Sequence, residues 1–223
     1  MSTLQPHGRS ALLAGATGLI GSELARLWPG PATLHLLVRR AKAAQAAGPY
    51  QQVQVVNYAA LAHLPAAQEA YCCLGTTIKV AGSPEAFRAV DLDAVLAFAR
   101  AAQRAGATRL AVVSALGADP ASRILYNRTK GEMEHALRDL GFSSLVIARP
   151  SLLAGNRRAL NQPARPGEVL ALAISGPLAG FIPKAWRPVQ AATVARAMLR
   201  AVAQDRPGVQ VLESADLQDL GQA

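Results

Sequence analysis

Two kinds of residue are scarce in this 223-residue chain, and each scarcity excludes a class of protein. Aromatic residues make up 4% of the sequence, which is too few for the stacking platform of a single-stranded nucleic-acid binder. The only cysteines, Cys72 and Cys73, are neighbours, so they are poorly placed to bond to each other, and no metal-ligand spacing surrounds them. We therefore expect buried, reduced thiols, a reducing compartment and no metal site.

Long apolar runs are also missing from the sequence. The N-terminal residues Met1 to Arg9 are polar and lack the apolar core of a signal peptide. The apolar stretch Val169 to Pro183 is interrupted by Ser175-Gly176-Pro177 and is too short for a transmembrane helix. The sequence thus predicts a cytoplasmic protein without a membrane span.

Acidic residues are outnumbered, with 14 Asp and Glu against 23 Lys and Arg and a formal net charge of +9. The basic residues are scattered in runs no longer than two, so a nucleic-acid partner is not expected. An anionic cofactor would account for part of the charge. One local gap is informative, because no Asp or Glu occurs between Glu23 and Glu69.

A glycine-rich turn, Gly15-Ala16-Thr17-Gly18-Leu19-Ile20-Gly21, lies between an apolar run and an amphipathic segment. Gly15 allows a tight turn out of a strand, Gly18 allows backbone to approach a pyrophosphate, and Gly21 allows close helix packing. The first N–H groups of the helix favour an anion. The pattern predicts a dinucleotide phosphate site, and a glycine turn without a ligand is the alternative.

Arg39 and Arg40 follow the next apolar run, near the point where a dinucleotide fold meets the adenosine ribose. An acidic residue there selects NAD, whereas arginine suits the 2′-phosphate of NADP. Since the acidic residue is missing, we expect NADP(H) as the cofactor. Two solvated arginines at a strand end are the alternative.

Apolar strand patterns alternate with helix patterns, as in a parallel sheet that is covered by helices on both faces. The predicted fold class is α/β, a Rossmann-like doubly wound parallel sheet. Residues 1–223 are expected to form a single nucleotide-binding domain in which 151–223 are a small substrate-side lobe. The predicted strands are Ser10–Ala14, Thr33–Val38, Val53–Val56, Ala70–Leu74, Arg109–Val113, Ser144–Ala148 and Val209–Leu212. The predicted helices are Leu19–Trp28, Ala41–Ala47, Leu61–Leu64, Ser83–Ala105, Arg123–Leu140 and Ala191–Ala203.

Polar or small residues follow two of the predicted strands, and ligands bind at the carboxyl edge of an open α/β sheet. Asn57 and Tyr58 follow the third strand, where they would lie near an adenine ring, although a plain loop fits equally well. Gly75, Thr76 and Thr77 follow the fourth strand and fit the ligand crevice.

Tyr126 and Lys130 are four positions apart in a predicted helix, so both project from one face. A nearby ammonium lowers the pKa of a tyrosine, which suits Tyr126 as a general acid toward a carbonyl oxygen. Lys130 is also placed to hold the nicotinamide ribose. Ser114, at the end of the fifth strand, is placed to hydrogen-bond the same oxygen. An ordinary helix-surface pair is the alternative.

The chain resembles the short-chain dehydrogenase/reductase superfamily over nearly its whole length. The turn Gly15 to Gly21 is similar to the Gly-x-x-Gly-x-x-Gly turn of its extended and atypical members. More narrowly, three segments resemble the Tat-interactive protein family of atypical, NADPH-binding reductases. They are Cys72-Cys73-Leu74-Gly75-Thr76-Thr77, Tyr126-Asn127-Arg128-Thr129-Lys130-Gly131-Glu132 and Arg149-Pro150.

The resemblance implies further contacts with the cofactor. Many superfamily members place an asparagine of a proton relay in the central helix, where Asp91 is the candidate in this chain. The implied cofactor contacts are Thr17, Leu19 and Ile20 at the pyrophosphate, Leu74, Gly75 and Thr76 along the cofactor, and Pro150 to Leu152 beside the nicotinamide.

Three functions are compatible with these features. The first is an NADPH-dependent oxidoreductase acting on a small carbonyl substrate, which Ser114, Tyr126 and Lys130 favour because a sensor needs no acid. The second is an NADPH-binding regulatory module that reports redox state to a protein partner. The third is a nucleotide-sugar epimerase, which the chain length disfavours because little sequence remains for a nucleotide-sugar lobe. We expect a monomer or a homodimer.

Overall fold

The computed structural model describes residues 8–40, 48–61, 63–154 and 183–222. The strands of the described part are β1 (Ala11–Ala14), β2 (Leu34–Val38), β3 (Gln51–Val55), β4 (Glu69–Cys72), β5 (Arg109–Val113), β6 (Ser144–Arg149), β7 (Leu153–Ala154), β8 (Val189–Gln190) and β9 (Gly208–Glu213). Seven of them form one parallel sheet in the order β3-β2-β1-β4-β5-β6-β9, and β7 pairs with β8.

The sheet reverses its winding direction beside β1. The chain continues from β1 outward to β2 and β3, and then crosses back to add β4 on the other side of β1. Ala14, the last residue of β1, is paired in register with Leu37 of β2 and Cys72 of β4. Ligands bind at such a switch point in open α/β sheets.

Helices cover both faces of the sheet. They are α1 (Leu19–Arg26), α2 (Ile78–Ala81), α3 (Pro84–Arg88), α4 (Ala94–Arg104), α5 (Leu125–Arg138), α6 (Ala191–Ala203) and α7 (Ser214–Gln222), with a π-helical turn at Ala89–Asp93 and 3₁₀ turns at Tyr58–Ala60 and Lys184–Trp186. One hydrophobic core lies between the sheet and α1 and α6, and the other lies between the sheet and α4 and α5. The predicted fold class is confirmed, since strands buried on both faces require a helical layer on each side.

The central helical pattern is not one uninterrupted α-helix. Ser83 caps its start by accepting the Ala86 N–H at 3.1 Å, and Gly106 follows its end with a positive φ of 96°, as the sequence predicted. Between them, the π-helical turn Ala89–Asp93 separates α3 from α4. Such a turn adds one residue to the helical repeat and changes the direction of the following side chains, and it often occurs at functional sites.

Other elements differ from the prediction. The predicted helix Leu61–Leu64 is wrong, because its described residues lie outside any helix and the 3₁₀ turn Tyr58–Ala60 precedes them. The predicted strand Val209–Leu212 was assigned to a side lobe, but it lies in β9, which pairs with β6 as the seventh strand of the main sheet. The predicted helix Ala41–Ala47 and the apolar segment 169–182 lie outside the described residues. Among described helices, none is long and apolar enough to cross a membrane.

Candidate functional site

The glycine turn is shaped by contacts that leave no room for side chains. Gly15 has a φ of +82°, and a Cβ added to it would lie 2.5 Å from the backbone carbonyl group of Cys73. A Cβ added to Gly21 would lie 2.1 Å from the carbonyl oxygen of Gly15. These two positions therefore require glycine, one for the tight turn after β1 and the other for the close approach of α1.

The first turn of α1 is open toward an anion. Gly18 is the N-cap residue, and no side chain caps the helix. The first turn also contains no acidic residue. The side chains of Leu19 and Ile20 are buried in the core, so only their backbone N–H groups are placed to meet a phosphate. Thr17 is exposed at the turn.

The end of β2 carries the two predicted arginines. Arg39 and Arg40 are both exposed directly after Val38. Tyr58 lies beside them and is buried, and its hydroxyl donates a hydrogen bond to the Leu37 carbonyl oxygen at 3.1 Å. Burial raises the pKa of Tyr58, and the Arg39 charge opposes that rise. Tyr58 is thus a packed residue that supports this corner.

Asn57 has a local structural task at the same corner. Its side-chain oxygen accepts the N–H of Ala59 at 3.0 Å and caps the short 3₁₀ turn. Its side chain is exposed, so it remains accessible at the corner after β3.

The segment after β4 joins the glycine turn to the middle of the site. Cys73 donates its N–H to the Ala14 carbonyl oxygen at 2.8 Å, which places it against the end of β1. Two residues later, a Cβ added to Gly75 would lie 3.4 Å from Asp91 Oδ1 and 3.8 Å from Lys130 Nζ. The short segment 73–76 therefore lies against the glycine turn at one end and beside the Asp91–Lys130 pair at the other.

Lys130 is buried and ion-paired. Its side chain lies on α5 with 2% of the residue exposed, and its Nζ lies 2.8 Å from Asp91 Oδ1 and 3.4 Å from the Val113 carbonyl oxygen. Burial lowers the pKa of Lys130, but attraction to Asp91 and Tyr126 outweighs it and the pKa is raised overall. Asp91 also accepts the Thr76 N–H at 2.8 Å, so the pair is tied to the segment after β4.

Tyr126 lies one helical turn before Lys130 on α5, as the spacing predicted. Its ring is partly exposed and stacks on Phe87 of α3, with centroids 5.6 Å apart and planes inclined by 28°. Phe87 is fully buried, so it fixes the position of the ring.

Ser114 is directed to a partner that the sequence did not suggest. It is buried, and its hydroxyl donates to Glu134 Oε1 at 2.5 Å. A hydroxyl has one hydrogen, and an ionised carboxylate is the stronger acceptor, so in this arrangement Ser114 has no proton left for a substrate oxygen. The predicted task of Ser114 would require this hydrogen bond to break.

Glu134 belongs to a buried ionic network at the ends of three strands. It is 3% exposed and accepts hydrogen bonds from Arg149 Nε at 2.9 Å and Arg149 Nη2 at 2.6 Å. Arg149, the last residue of β6, also donates to Glu213 of β9 at 2.9 Å. The sequence analysis missed Glu134. Helical spacing could have indicated it, since Glu134 follows Lys130 by one turn on the face that also carries Tyr126.

The residues after β6 complete the carboxyl edge of the sheet. Pro150 is buried and its carbonyl oxygen accepts the Leu116 N–H at 3.0 Å, whereas Leu152 is 41% exposed. Ser151 donates its hydroxyl to the Arg187 carbonyl oxygen at 2.6 Å. Leu152 is thus the side chain of this predicted segment that is most open to a ligand.

The thiols show no sign of reactivity. Cys72 and Cys73 are both free. Burial raises the pKa of Cys72 to about 12 and that of Cys73 well above its usual value, so both are neutral thiols near pH 7. Within the described residues, no group of three or more His, Cys, Asp or Glu side chains is arranged to hold a metal ion.

Comparison with known proteins identifies relatives along most of the chain. No protein-family model matches it. Protein HTATIP2 of Rattus norvegicus is 34% identical over 227 residues, which cover 96% of this chain and 90% of the relative. The mitochondrial protein FMP52 of Coccidioides immitis is 31% identical over 191 residues, which cover 78% of this chain and 76% of the relative.

Solved structures share the fold at lower identity. The Bordetella bronchiseptica enzyme WbmH, solved in complex with NAD⁺, superposes with a TM-score of 0.69 at 15% sequence identity. The match covers 97% of this chain and 80% of WbmH. The similarity supports the Rossmann-like architecture described above.

Proposed function

This chain belongs to the family of HTATIP2 and the FMP52 proteins, and on that premise we propose that it is an NADPH-dependent oxidoreductase that reduces a small carbonyl substrate. One observation carries the proposal. The segment 73–76 packs against the glycine turn, where the Cys73 carbonyl group leaves no room for a Cβ at Gly15, and it reaches the Asp91–Lys130 pair through the Thr76 N–H, which Asp91 accepts at 2.8 Å. A dinucleotide with its pyrophosphate at the turn would therefore extend along this segment to Lys130.

The cofactor-binding residues are assigned by their places along this crevice. The backbone N–H groups at the start of α1 would bind the pyrophosphate, because no side chain occupies them as a cap. Arg39 and Arg40 would bind the 2′-phosphate of NADPH, with Asn57 near the adenine. The remaining contacts of the proposal are Leu74, Gly75 and Thr76 along the cofactor and Pro150 and Leu152 beside the nicotinamide.

The reaction needs a hydride, which bound NADPH supplies, and a proton, which we assign to Tyr126. The phenol would donate its proton to the carbonyl oxygen of the substrate, and Lys130 would stabilise the phenolate that remains. The stacking of Tyr126 on Phe87 would orient the ring. Ser114 would act as a second donor only if its hydroxyl turned away from Glu134.

A regulatory module that binds NADPH without rapid turnover is the second candidate. The hydrogen bond from Ser114 to Glu134 favours it, because that bond removes one of the two predicted donors from the substrate oxygen. An epimerase is a third alternative, since structural neighbours include a UDP-N-acetylglucosamine 4-epimerase at 15% identity, but the fold alone does not distinguish these activities.

The test is NADPH oxidation against a panel of aldehydes, ketones and quinones. Tyr126→Phe removes only the hydroxyl, so it should lower kcat by about two to four orders of magnitude while the Kd for NADPH changes by a few-fold at most. Tyr50→Phe is the matched control, since Tyr50 is exposed and lies outside the proposed site.

The possible results separate the candidates. If the wild type is active and Tyr126→Phe is equally active, Tyr126 is not the general acid. Binding of NADPH without turnover on any substrate would favour the regulatory module, and absence of NADPH binding would refute both.

We further propose a cytoplasmic location and a monomeric or homodimeric state. The FMP52 relatives are named mitochondrial proteins, which makes cell fractionation the direct test of location. Light scattering of the purified protein would give the oligomeric state.

A further inference from the structure

The hydroxyl of Ser114 has a single hydrogen, and the direction of that hydrogen decides which chemical groups Ser114 can bind. The proposed reaction uses Ser114 as a donor only after its hydrogen bond to Glu134 breaks. The groups around Glu134 show why that bond has a fixed direction.

Both carboxylate oxygens of Glu134 are occupied by donors. Oε1 accepts hydrogen bonds from Arg149 Nε at 2.9 Å and from Ser114 Oγ at 2.5 Å. Oε2 accepts a hydrogen bond from Arg149 Nη2 at 2.6 Å and lies 4.0 Å from Arg138 Nη2. A guanidinium can only donate hydrogen bonds, so this arrangement selects the ionised form of Glu134, which has no proton to give to Ser114.

The lone pairs of Ser114 Oγ are the part of the hydroxyl that remains for a ligand. Two oxygens 2.5 Å apart need a hydrogen between them, and of this pair only Ser114 has one to supply. The backbone N–H of Ser114 is bound to the Ala148 carbonyl oxygen at 2.7 Å, which holds the residue at the end of β5. Among the described residues, none donates a hydrogen bond to Ser114 Oγ.

We propose that Ser114 acts as a hydrogen-bond acceptor and that the substrate is a carbonyl compound with a hydroxyl group on the carbon next to the carbonyl. This inference rests on the proposed reductase function and names its substrate class. The carbonyl oxygen has no proton, so it has nothing to offer the lone pairs of Ser114 and is left to Tyr126. The neighbouring hydroxyl has the proton that Ser114 accepts.

The packing of α5 places both groups at one end of such a substrate. Tyr126, Lys130 and Glu134 follow one another at intervals of four residues, so they share one face of α5. Glu134 contacts the Ser114 side chain, and Lys130 Nζ lies 3.4 Å from the carbonyl oxygen of Val113, the preceding residue of the chain. The face that carries Tyr126 therefore lies along the end of β5, where Ser114 would meet the hydroxyl and Tyr126 the carbonyl oxygen on the adjacent carbon.

The reduction itself is unchanged by this assignment. Bound NADPH supplies a hydride to the carbonyl carbon and is oxidised to NADP⁺, while Tyr126 gives its proton to the carbonyl oxygen, so the product is a vicinal diol. The hydroxyl at Ser114 is not consumed, and its task is to orient the substrate. A substrate without it would leave the acceptor unpaired, and polar sites reject such analogues strongly.

The test compares two ketones of similar size. 2-Hydroxyacetophenone has a hydroxyl next to its carbonyl, and propiophenone has a methyl group in the same place. The wild type should reduce the hydroxyketone with a kcat/KM about a hundredfold higher or more. In Ser114→Ala this ratio should fall at least about tenfold, because the acceptor is gone and only the intrinsic reactivity of the ketones distinguishes them. Ser143→Ala, at an exposed serine before β6, is the matched control and should keep the wild-type ratio.

The ratio separates an acceptor from a donor at Ser114. If Ser114 donated its proton to the carbonyl oxygen, Ser114→Ala would slow the reduction of both ketones by the same factor. The ratio would then keep its wild-type value, and the proposal would be overturned. A wild type that reduces both ketones equally well would overturn it too.

A measurement on the wild type separates this inference from the proposed function. Neutron diffraction from deuterated crystals would locate the hydroxyl deuterium of Ser114, which should lie between Oγ and Glu134 Oε1. Deuterium directed away from Glu134 would contradict the acceptor role. If the deuterium lies toward Glu134 but the protein reduces no carbonyl compound, the reductase function and its substrate class fail, while the acceptor role of Ser114 stands.

Discussion

The two ends of the proposed cofactor crevice are built on opposite principles. The glycine end comprises the turn Gly15–Gly21 and the arginines Arg39 and Arg40. Its shape depends on missing side chains, and its charges are exposed. The ionic end comprises Asp91, Lys130, Ser114, Glu134 and Arg149. Its charges are largely buried, and each has a named partner.

The two ends should therefore fail in different ways. An added atom disrupts the glycine end, because the contacts around Gly15 and Gly21 are with backbone that has little freedom to move. A removed charge disrupts the ionic end, because its partner is then left buried and unpaired. The following predictions test this difference, beginning with the largest expected effect.

Gly21→Ala should lower the free energy of unfolding by about 3 kcal/mol, at the upper end of what overpacking usually causes. The reason is the carbonyl oxygen of Gly15, which a Cβ would approach to 2.1 Å, so β1 and α1 would have to separate. Urea unfolding followed by circular dichroism measures the change.

The control for this prediction separates a steric clash from backbone strain. Gly141 has a φ of +71° but no atom within 4 Å of an added Cβ, so Gly141→Ala introduces strain alone. It should cost about 1 kcal/mol, the usual penalty of a left-handed residue. If Gly21→Ala proves as stable as the wild type, the close approach of α1 does not shape the turn.

The glycine end could be predicted from the sequence because its information is local. Gly15, Gly18 and Gly21 lie within one turn and one helix, and their spacing alone indicated the tight turn and the close packing. The parallel sheet was predictable for a similar reason, since each strand is a short apolar run. The register and the order of the strands could not be predicted in this way, because they depend on the fold of the whole chain and not on any single segment.

The pairings of the ionic end could not be predicted, although Ser114, Lys130 and Asp91 were each singled out, because the partners come from distant positions. Ser114 and Glu134 are 20 residues apart, and Arg149 and Glu213 are 64 residues apart. The pattern placed Ser114 at a strand end, but only the packing of α5 on the sheet brings Glu134 to it. The π-helical turn that places Asp91 has no sequence signature that distinguishes it from the α-helix around it.

The second prediction concerns the exposed charges of the glycine end. Arg39→Ala should weaken NADPH binding about tenfold, or about 1.4 kcal/mol, and leave NADH binding nearly unchanged, because only NADPH carries the 2′-phosphate. Isothermal titration calorimetry with both cofactors measures the two constants. Arg26→Ala is the control, since Arg26 is exposed on α1 and pairs with Glu23. A wild type that binds NADPH and NADH equally would exclude the 2′-phosphate site.

The smallest expected effect concerns His35 of β2, a buried titratable group in the strand that leads to Arg39 and Arg40. It is 8% exposed, burial lowers its pKa, and among the described residues its Nδ1 has no hydrogen-bond partner. Unlike Lys130, it is therefore expected to be neutral in the folded protein. The unfolded chain takes up a proton below the ordinary histidine pKa of about 6.5, so the unfolded state gains protons first and stability falls as pH decreases.

Between pH 7.5 and 5.5, His35 should thus reduce the free energy of unfolding by at most about 1.4 kcal/mol. Urea unfolding at both values should show a smaller loss in His35→Leu than in the wild type, whereas His135→Gln, at an exposed histidine, should behave like the wild type. Equal losses in the wild type and His35→Leu would mean that His35 takes up its proton as readily in the folded state as in the unfolded chain. The strand that leads to the arginines would then hold a buried charge at low pH, and buried charges would no longer be confined to the ionic end.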